Sequence, residues 1–139
     1  MPPLNSSTIY SWDAPSPGGT GTIKVAARLS NRYNGIATHL GMTAHTDPTN
    51  VNAHMLKPNK AVQEGFLMKM RINYRKDNKY YGADIYVPTD KVTEAIQILP
   101  NKPWDGTGVI TSMSRSWYEL ITVNRERKIY QWLERNCVN

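Results

Sequence analysis

The chain has 139 residues, of which 40% are hydrophobic and 20% charged, and its formal net charge is +6. This composition is typical of one folded domain rather than a disordered chain, and the positive charge favours an anionic partner such as nucleic acid. No apolar run approaches the roughly 20 residues that cross a bilayer, and Met1–Ser7 lacks the basic and apolar segments of a secretory signal. We therefore expect one domain over residues 1–139 that stays in the cytosol and has no membrane partner.

The N-terminal residues predict a β-hairpin. Thr8–Trp12 alternates polar and apolar residues, Asp13–Gly21 is rich in Gly and Pro, and residues 23–28 alternate again. Two such runs around a Gly-rich turn are typical of two antiparallel strands. Residues 1–7, which precede the first alternation, are expected to form a flexible N-terminal arm.

The next forty residues are harder to interpret. A turn at Ser30–Gly35 is followed by a short predicted strand from about Ile36 to Met42. The segment Thr43–Val62 contains the turn signals Asp47-Pro48 and Lys57-Pro58 around a weak alternation. Because structureless loops of this length are uncommon in a compact domain, we expect an extended segment here or contacts with neighbouring molecules.

The clearest unit is a second hairpin. Every second residue is apolar from Phe66 to Ile72, and the alternation resumes from Tyr81 to Val87 after a polar turn at Arg75–Lys79. Alternate side chains of a strand lie on the same face of a sheet, so this hairpin has one apolar face and one face of interleaved cations and tyrosines. The polar face consists of Lys69, Arg71 and Asn73 on one strand and of Tyr80, Gly82, Asp84 and Tyr86 on the other.

This polar face has two interpretations. Proteins that bind RNA often hold phosphates with cations while aromatic rings stack on unpaired bases. Alternatively, the face is solvated and its tyrosines simply pack across the strands. These residues alone do not decide between the two.

The C-terminal third adds a strand and a helix. Asp90–Leu99 fits either a helix or a strand, Asn101–Gly108 is a predicted loop, and Val109–Val123 is rich in β-formers. Asn124 can cap a helix in which one face is apolar. That face consists of Ile129, Trp132, Leu133 and Cys137.

The predicted order is about six strands followed by one helix, which indicates an α+β fold built on an antiparallel sheet. One amphipathic helix cannot cover such a sheet, so we expect a partner subunit to supply the rest. Cys137 is the only cysteine, which excludes an intrachain disulfide but leaves open a link between subunits.

Patterns that carry catalysis or bind metal are missing from the sequence. His39, His45 and His54 are too widely spaced for a metal site, and His45 and Asp47, although close in sequence, lie in a Thr/Pro/Asn-rich loop where we expect both to be solvated. Gly18–Gly21 lacks the following Lys-Ser/Thr of a phosphate-binding loop and is better explained as a hairpin turn. We therefore expect a protein that is not an enzyme, with no metal, no cofactor and no small-molecule substrate.

Four short segments are informative because of their order. They are a Gly-Gly-Thr-Gly turn at Gly18–Gly21 leading into Val25-Ala26, the segment Ser30–Ala37 (Ser-Asn-x-x-Asn-Gly-hydrophobic-Ala), the turn Asn78-Lys79-Tyr80 with a strand closing on Val87-Pro88, and Arg115-Ser116-Trp117. From about residue 9 to 135, this set resembles the coat proteins of levivirus-type single-stranded RNA bacteriophages. Two features depart from the family pattern: Thr43–Val62 is longer, and one predicted helix follows the last strand instead of two.

The resemblance implies an interlocked, obligate homodimer, many copies of which form an icosahedral shell around single-stranded viral RNA. The protein would then be located in the virion after assembly in the cytoplasm of a host bacterium. The helix residues Ile129, Trp132 and Leu133 would lie at the dimer interface. The loop residues Asn101, Lys102, Pro103, Trp104, Asp105 and Gly106 would make contacts between dimers around the symmetry axes of the shell, unless this loop is a plain connection.

The resemblance also implies an inner sheet face that binds the genome and, in studied relatives, an RNA hairpin that represses replicase translation. Besides the polar face of the second hairpin, it assigns Arg115, Trp117 and Glu119 of the last strand to RNA. Val109 and Met113 share the parity of these residues, so a bulge could instead turn Trp117 into the core. The alternative to a coat protein is a small dimeric RNA- or DNA-binding regulator, encoded by a cell or a plasmid, that uses the same face.

Overall fold

The N-terminal hairpin forms as the alternation predicted. In the computed structural model, which describes residues 3–115, β1 (Ser7–Pro15) pairs antiparallel with β2 (Thr22–Ser30) along its whole length. Gly19 and Gly21 both have positive φ, at 87° and 71°, a conformation that glycine adopts without strain. The Gly-rich stretch is therefore the connection that lets the two strands fold back on each other.

Two short strands extend this hairpin into a four-stranded sheet. β3 (Thr43–His45) pairs antiparallel with β1, and β4 (His54–Leu56) pairs parallel with β2, in the order β3-β1-β2-β4. The segment Thr43–Val62 thus contains the expected extended chain. The parallel pair departs from the all-antiparallel sheet that we predicted.

The same segment also contains the start of a helix that the sequence pattern does not predict. α1 (Pro58–Gln63) has proline at its first turn, where the missing N–H and the fixed φ of proline suit a helix. The sequence pattern at Lys57-Pro58 indicates only a turn. In the structure it marks the start of α1.

The short strand predicted from Ile36 to Met42 is wrong. Two 3-10 helices, Asn31–Gly35 and Ala37–Leu40, occupy this region. Ile36 and Leu40 are four residues apart and both buried, which is the spacing of one helical face. The second turn ends at Gly41, which has a φ of 70° and donates its N–H to carbonyls of that turn.

The second sheet contains the polar face. It comprises β5 (Leu67–Lys76), β6 (Lys79–Pro88), β7 (Pro103–Trp104) and β8 (Gly108–Arg115), all antiparallel, in the order β6-β5-β8-β7. The connection between β5 and β6 is two residues, Asp77 and Asn78, with φ of 53° and 61°. Two positive φ values are the geometry of the tight hairpin turns that match strand twist.

The ambiguous segment Asp90–Leu99 is helical. A 3-10 turn, Thr89–Lys91, leads into α2 (Val92–Ile98). Val92, Ala95 and Leu99 are buried, as expected for positions three and four residues apart on a helix.

Both sheets contribute to one hydrophobic core. The apolar residues of β1 and β2 belong to the same buried cluster as those of β5, β6 and β8, so the two sheets share one core, as expected for packed secondary structure. The largest fully buried apolar side chains are Tyr10, Val25, Ile36, Leu40, Met70, Ile72, Ile85, Val87, Leu99 and Ile110.

The segment expected to be a free N-terminal arm is attached to the domain from residue 3. The Asn31 side chain donates to the Pro3 carbonyl at 2.8 Å and to the Ser6 hydroxyl. The Asn31 backbone N–H donates to the Ser6 carbonyl at 2.9 Å. Because Asn31 is fully buried, these bonds also satisfy a polar side chain that would otherwise be costly to bury.

Several predictions fall outside the described residues. They concern the end of the last strand with Trp117 and Glu119, and the C-terminal helix with Ile129, Trp132, Leu133 and Cys137. Within residues 3–115, no helix combines the length and the apolar character that crossing a membrane requires.

Candidate nucleic-acid interface

The register of β5 and β6 aligns the polar side chains as the alternation predicted. Lys69 is paired with Tyr86, Arg71 with Asp84, and Asn73 with Gly82. The intervening residues of β5, Met70, Ile72 and Tyr74, are buried in the core. One face of this hairpin is therefore apolar and covered, while the other presents cations, an amide and tyrosines.

The polar face extends beyond the residues that the sequence pattern predicts. Arg75 is paired with Tyr80, so the same period-two pattern continues for one more pair. On β8, Ser112 and Ser114 pair with Asn73 and Arg71. With these three additions, the polar face consists of Lys69, Arg71, Asn73, Arg75, Tyr80, Gly82, Asp84, Tyr86, Ser112 and Ser114.

Within the described residues the polar face is open. Tyr80 is 75% exposed, and Arg71, Asn73 and Arg75 are also exposed. An exposed tyrosine beside cations is suited to stacking on an unpaired base, because every base has an aromatic face.

One carboxylate controls much of the charge on the polar face. Asp84 lies 3.3 Å from Nη1 of Arg71 and 3.8 Å from Nζ of Lys69. These side chains are about one-third to one-half exposed, so the pairs are weak and easily exchanged for other anions. With Arg75, three cations face one carboxylate, and the face keeps a net positive charge.

Gly82 provides the space for the Arg71 side chain. A Cβ atom at Gly82 would lie only 2.7 Å from Nη2 of Arg71. The guanidinium group therefore lies across the bare backbone of β6 on its way to Asp84.

A bulge interrupts the pairing of β5 with β8. The pairing shifts between Asn73 and Tyr74, so that Ser112 rather than Thr111 is opposite Asn73. The hydroxyl of Thr111 donates to the Asn73 carbonyl at 3.1 Å. Beyond the bulge, Arg115 is the register partner of Met70, which is buried.

The loop expected to contact neighbouring dimers is partly built into the core. Trp104 is 2% exposed, and its ring lies edge-on to Tyr33 at a centroid distance of 5.0 Å. Backbone bonds between Lys102 and Ile110 (2.9 Å) and between Asn101 and Ile110 (2.7 Å) close the loop onto β8. The Trp104 side chain is therefore not available to a neighbouring dimer, whereas contacts of the exposed loop positions with other dimers stay a prediction.

Asp105, in the same loop, is the centre of an ion-pair cluster. Its carboxylate lies 3.1 Å from Nε of Arg32 and 3.3 Å from Nζ of Lys76, and it accepts from the Tyr74 hydroxyl at 3.4 Å. Burial opposes ionisation of Asp105, but the hydrogen bonds and charges of Arg32 and Lys76 outweigh it, and the pKa of Asp105 is lowered. This cluster attaches the loop to β5 and to the turn after β2.

A groove lies beside the polar face, between α1 and Tyr86. It has a volume of about 490 Å³, within the range of about 300–1,000 Å³ that is typical of ligand sites. The Tyr86 hydroxyl donates to Oδ1 of Asn59 at 3.0 Å across it. The lining residues are Lys57, Pro58, Asn59, Lys60, Gln63 and Tyr86.

The histidines lie on separate elements. His45 is on β3 and His54 on β4, which are opposite edges of the first sheet. One ring nitrogen of His45 is 2.6 Å from the hydroxyl of Ser11, which is 3% exposed. Among the described residues, no group of three or more His, Cys, Asp or Glu side chains is arranged to hold a metal ion.

Comparisons of the chain with protein-family models, with curated proteins and with solved structures give no significant match.

Proposed function

We propose that the chain is the coat subunit of a single-stranded RNA bacteriophage, which assembles as dimers into an icosahedral shell and binds RNA on the polar face. The observation that carries the proposal is the alignment on β5, β6 and β8. Three cations, two tyrosines and small polar side chains share one open face. Single-stranded RNA is bound by cations that follow the phosphates and rings that stack on bases.

The architecture supports a coat subunit in two further ways. A four-stranded sheet with one face packed on the N-terminal hairpin and the other face open is what a shell subunit needs to enclose RNA on its inner side. The ordered motifs that resemble the levivirus-type coat proteins include the turn at Gly18–Gly21 and the strand closing on Val87-Pro88. Both are at hairpin positions in the fold.

RNA binding is tested by charge variants of the polar face. Arg71→Ala should lower the affinity for a single-stranded genomic RNA and flatten its dependence on salt, because one phosphate contact is lost. Asp84→Asn should raise the affinity, by up to about fivefold, because Lys69 and Arg71 no longer share a carboxylate. The measurement is fluorescence anisotropy of labelled RNA over a range of salt concentrations.

Two variants with the same charge changes elsewhere serve as controls. Lys24 is exposed on β2 of the other sheet, and Asp90 is exposed beside α2. Lys24→Ala and Asp90→Asn should leave the affinity close to that of the parent chain. If they change affinity as much as Arg71→Ala and Asp84→Asn do, only the overall charge matters and the polar face is not the RNA site.

A further inference from the structure

We propose that the groove between α1 and Tyr86 binds a single unpaired nucleotide of the RNA and positions its phosphate at Lys57. The inference rests on the proposed function, since it adds a subsite at the edge of the polar face. It also assigns a role to part of the long segment Thr43–Val62, where the chain departs from the pattern of the family that it resembles.

Tyr86 connects the groove to the polar face. It is the register partner of Lys69, and it also lines the groove together with α1. Its backbone N–H donates to the Tyr33 hydroxyl at 2.5 Å, and its ring packs partly against the core. Hydrogen bonds of the Tyr86 backbone N–H and of its hydroxyl already hold the side chain in place. It therefore loses little conformational entropy when a base stacks on its ring, which favours binding.

The amide of Asn59 gives the groove a directional polar group. Its Oδ1 accepts from the Tyr86 hydroxyl at 3.0 Å, so its NH₂ group remains available, and no hydrogen-bond partner for that group is found among the described residues. Gln63 provides a second amide along the same wall. Side-chain amides both donate and accept, which suits the edges of an unpaired base.

The two lysines that line the groove differ in whether they form an ion pair among the described residues. Nζ of Lys60 lies 3.7 Å from the Glu64 carboxylate, whereas Lys57 has no ion pair within residues 3–115. Lys57 is therefore the cation that a phosphate would meet without first displacing a carboxylate. Lys60 would contribute only when its pair with Glu64, which is exposed and weak, opens.

This combination is specific for a nucleotide rather than for an isolated anion or an apolar ligand. An anion site would need no ring, and an apolar site would not be lined by two lysines and two amides. A ring, two base-reading amides and a lysine that has no ion pair among the described residues, in a groove of this size, match the base and the phosphate of one nucleotide.

The test uses the full chain and a short single-stranded oligouridylate. Lys57→Ala should lower the affinity several-fold and reduce the salt slope by about 0.7, the value for one lost contact with a single strand. Tyr86→Leu should lower the affinity about 5- to 150-fold without changing the salt slope. Glu64→Gln should raise the affinity, because Lys60 then loses its ion pair with Glu64 and can bind phosphate. Lys24→Ala, with the same charge change as Lys57→Ala on the other sheet, should have no effect.

A second readout locates the nucleotide directly. Oligouridylate that contains 4-thiouridine, crosslinked by light, should attach to Tyr86 or to residues 57–63, as identified by mass spectrometry. If Arg71→Ala weakens binding while Lys57→Ala behaves like Lys24→Ala and no crosslink forms in the groove, the subsite is wrong and the RNA-binding function stands. If Arg71→Ala also has no effect, the proposed function itself fails.

Discussion

Asp105 shows how much one loop residue can contribute to the fold. It joins Arg32, which lies 73 residues earlier in the chain, to Lys76 at the end of β5, and its side chain is only 12% exposed. Because the carboxylate satisfies two cations and the Tyr74 hydroxyl, its loss would leave several donors without an acceptor in a partly buried place.

We therefore predict that Asp105→Asn lowers the free energy of unfolding by about 1–3 kcal/mol at neutral pH. Asparagine tolerates the positive φ of 57° at this position. The change in the free energy of unfolding is therefore due to the lost charge and not to backbone strain. The measurement is urea denaturation. Asp77→Asn is the matched control, because Asp77 also has a positive φ, 53°, and is exposed.

The pH dependence has a defined direction. The pKa of Asp105 is lowered by folding, so its contribution is fully present above the unfolded pKa of about 3.9 and is lost as the pH falls through the folded pKa. The difference between the parent chain and Asp105→Asn should therefore shrink below about pH 4. A difference that stays constant from neutral to acidic pH would contradict the assigned role of the charge.

Single residues of the polar face were predictable, whereas the ion-pair cluster was not. The period-two pattern alone places Lys69, Arg71 and Asn73 on one face, because strand geometry is local. The contact between Asp105 and Arg32 depends on where distant parts of the chain meet. No pattern near Asp105 indicates that contact.

At the scale of elements, the errors have local physical causes. The sequence predicts a strand from about Ile36 to Met42, although the spacing of the buried residues Ile36 and Leu40 fits a helical turn. The bulge at Thr111 reverses the parity of β8, and it depends on a hydrogen bond to the neighbouring strand. The shared parity of Val109 and Met113 leaves a bulge in this strand possible, but the pattern cannot place it, since the partner strand helps to form it.

The burial of Trp104 gives a test at this scale. Trp104→Ala should lower the free energy of unfolding by about 3–5 kcal/mol, the range for removal of a large core side chain. Thr107→Ala, a change at an exposed position of the same loop, should have little effect on stability. Urea denaturation measures both. If Trp104→Ala is as stable as the parent chain but fails to assemble, the loop acts in contacts between dimers and not in the core.

At the scale of the whole molecule, the α+β class, the N-terminal hairpin and the second hairpin were predicted from the sequence. The division into two sheets was not, because β3 and β4 are three residues each and give almost no alternation to detect. Their place at the two edges of the first sheet is fixed by pairing with β1 and β2. The dimer and its interface residues Ile129, Trp132 and Leu133 stay predictions.

The most direct test of the coat-protein proposal is the size and content of the purified particle. Electron microscopy and light scattering of the chain expressed in bacteria should show closed shells of megadalton mass, and these shells should contain RNA that ribonuclease cannot reach. Particles no larger than a dimer, with or without bound RNA, would contradict the proposal and favour a small nucleic-acid-binding regulator.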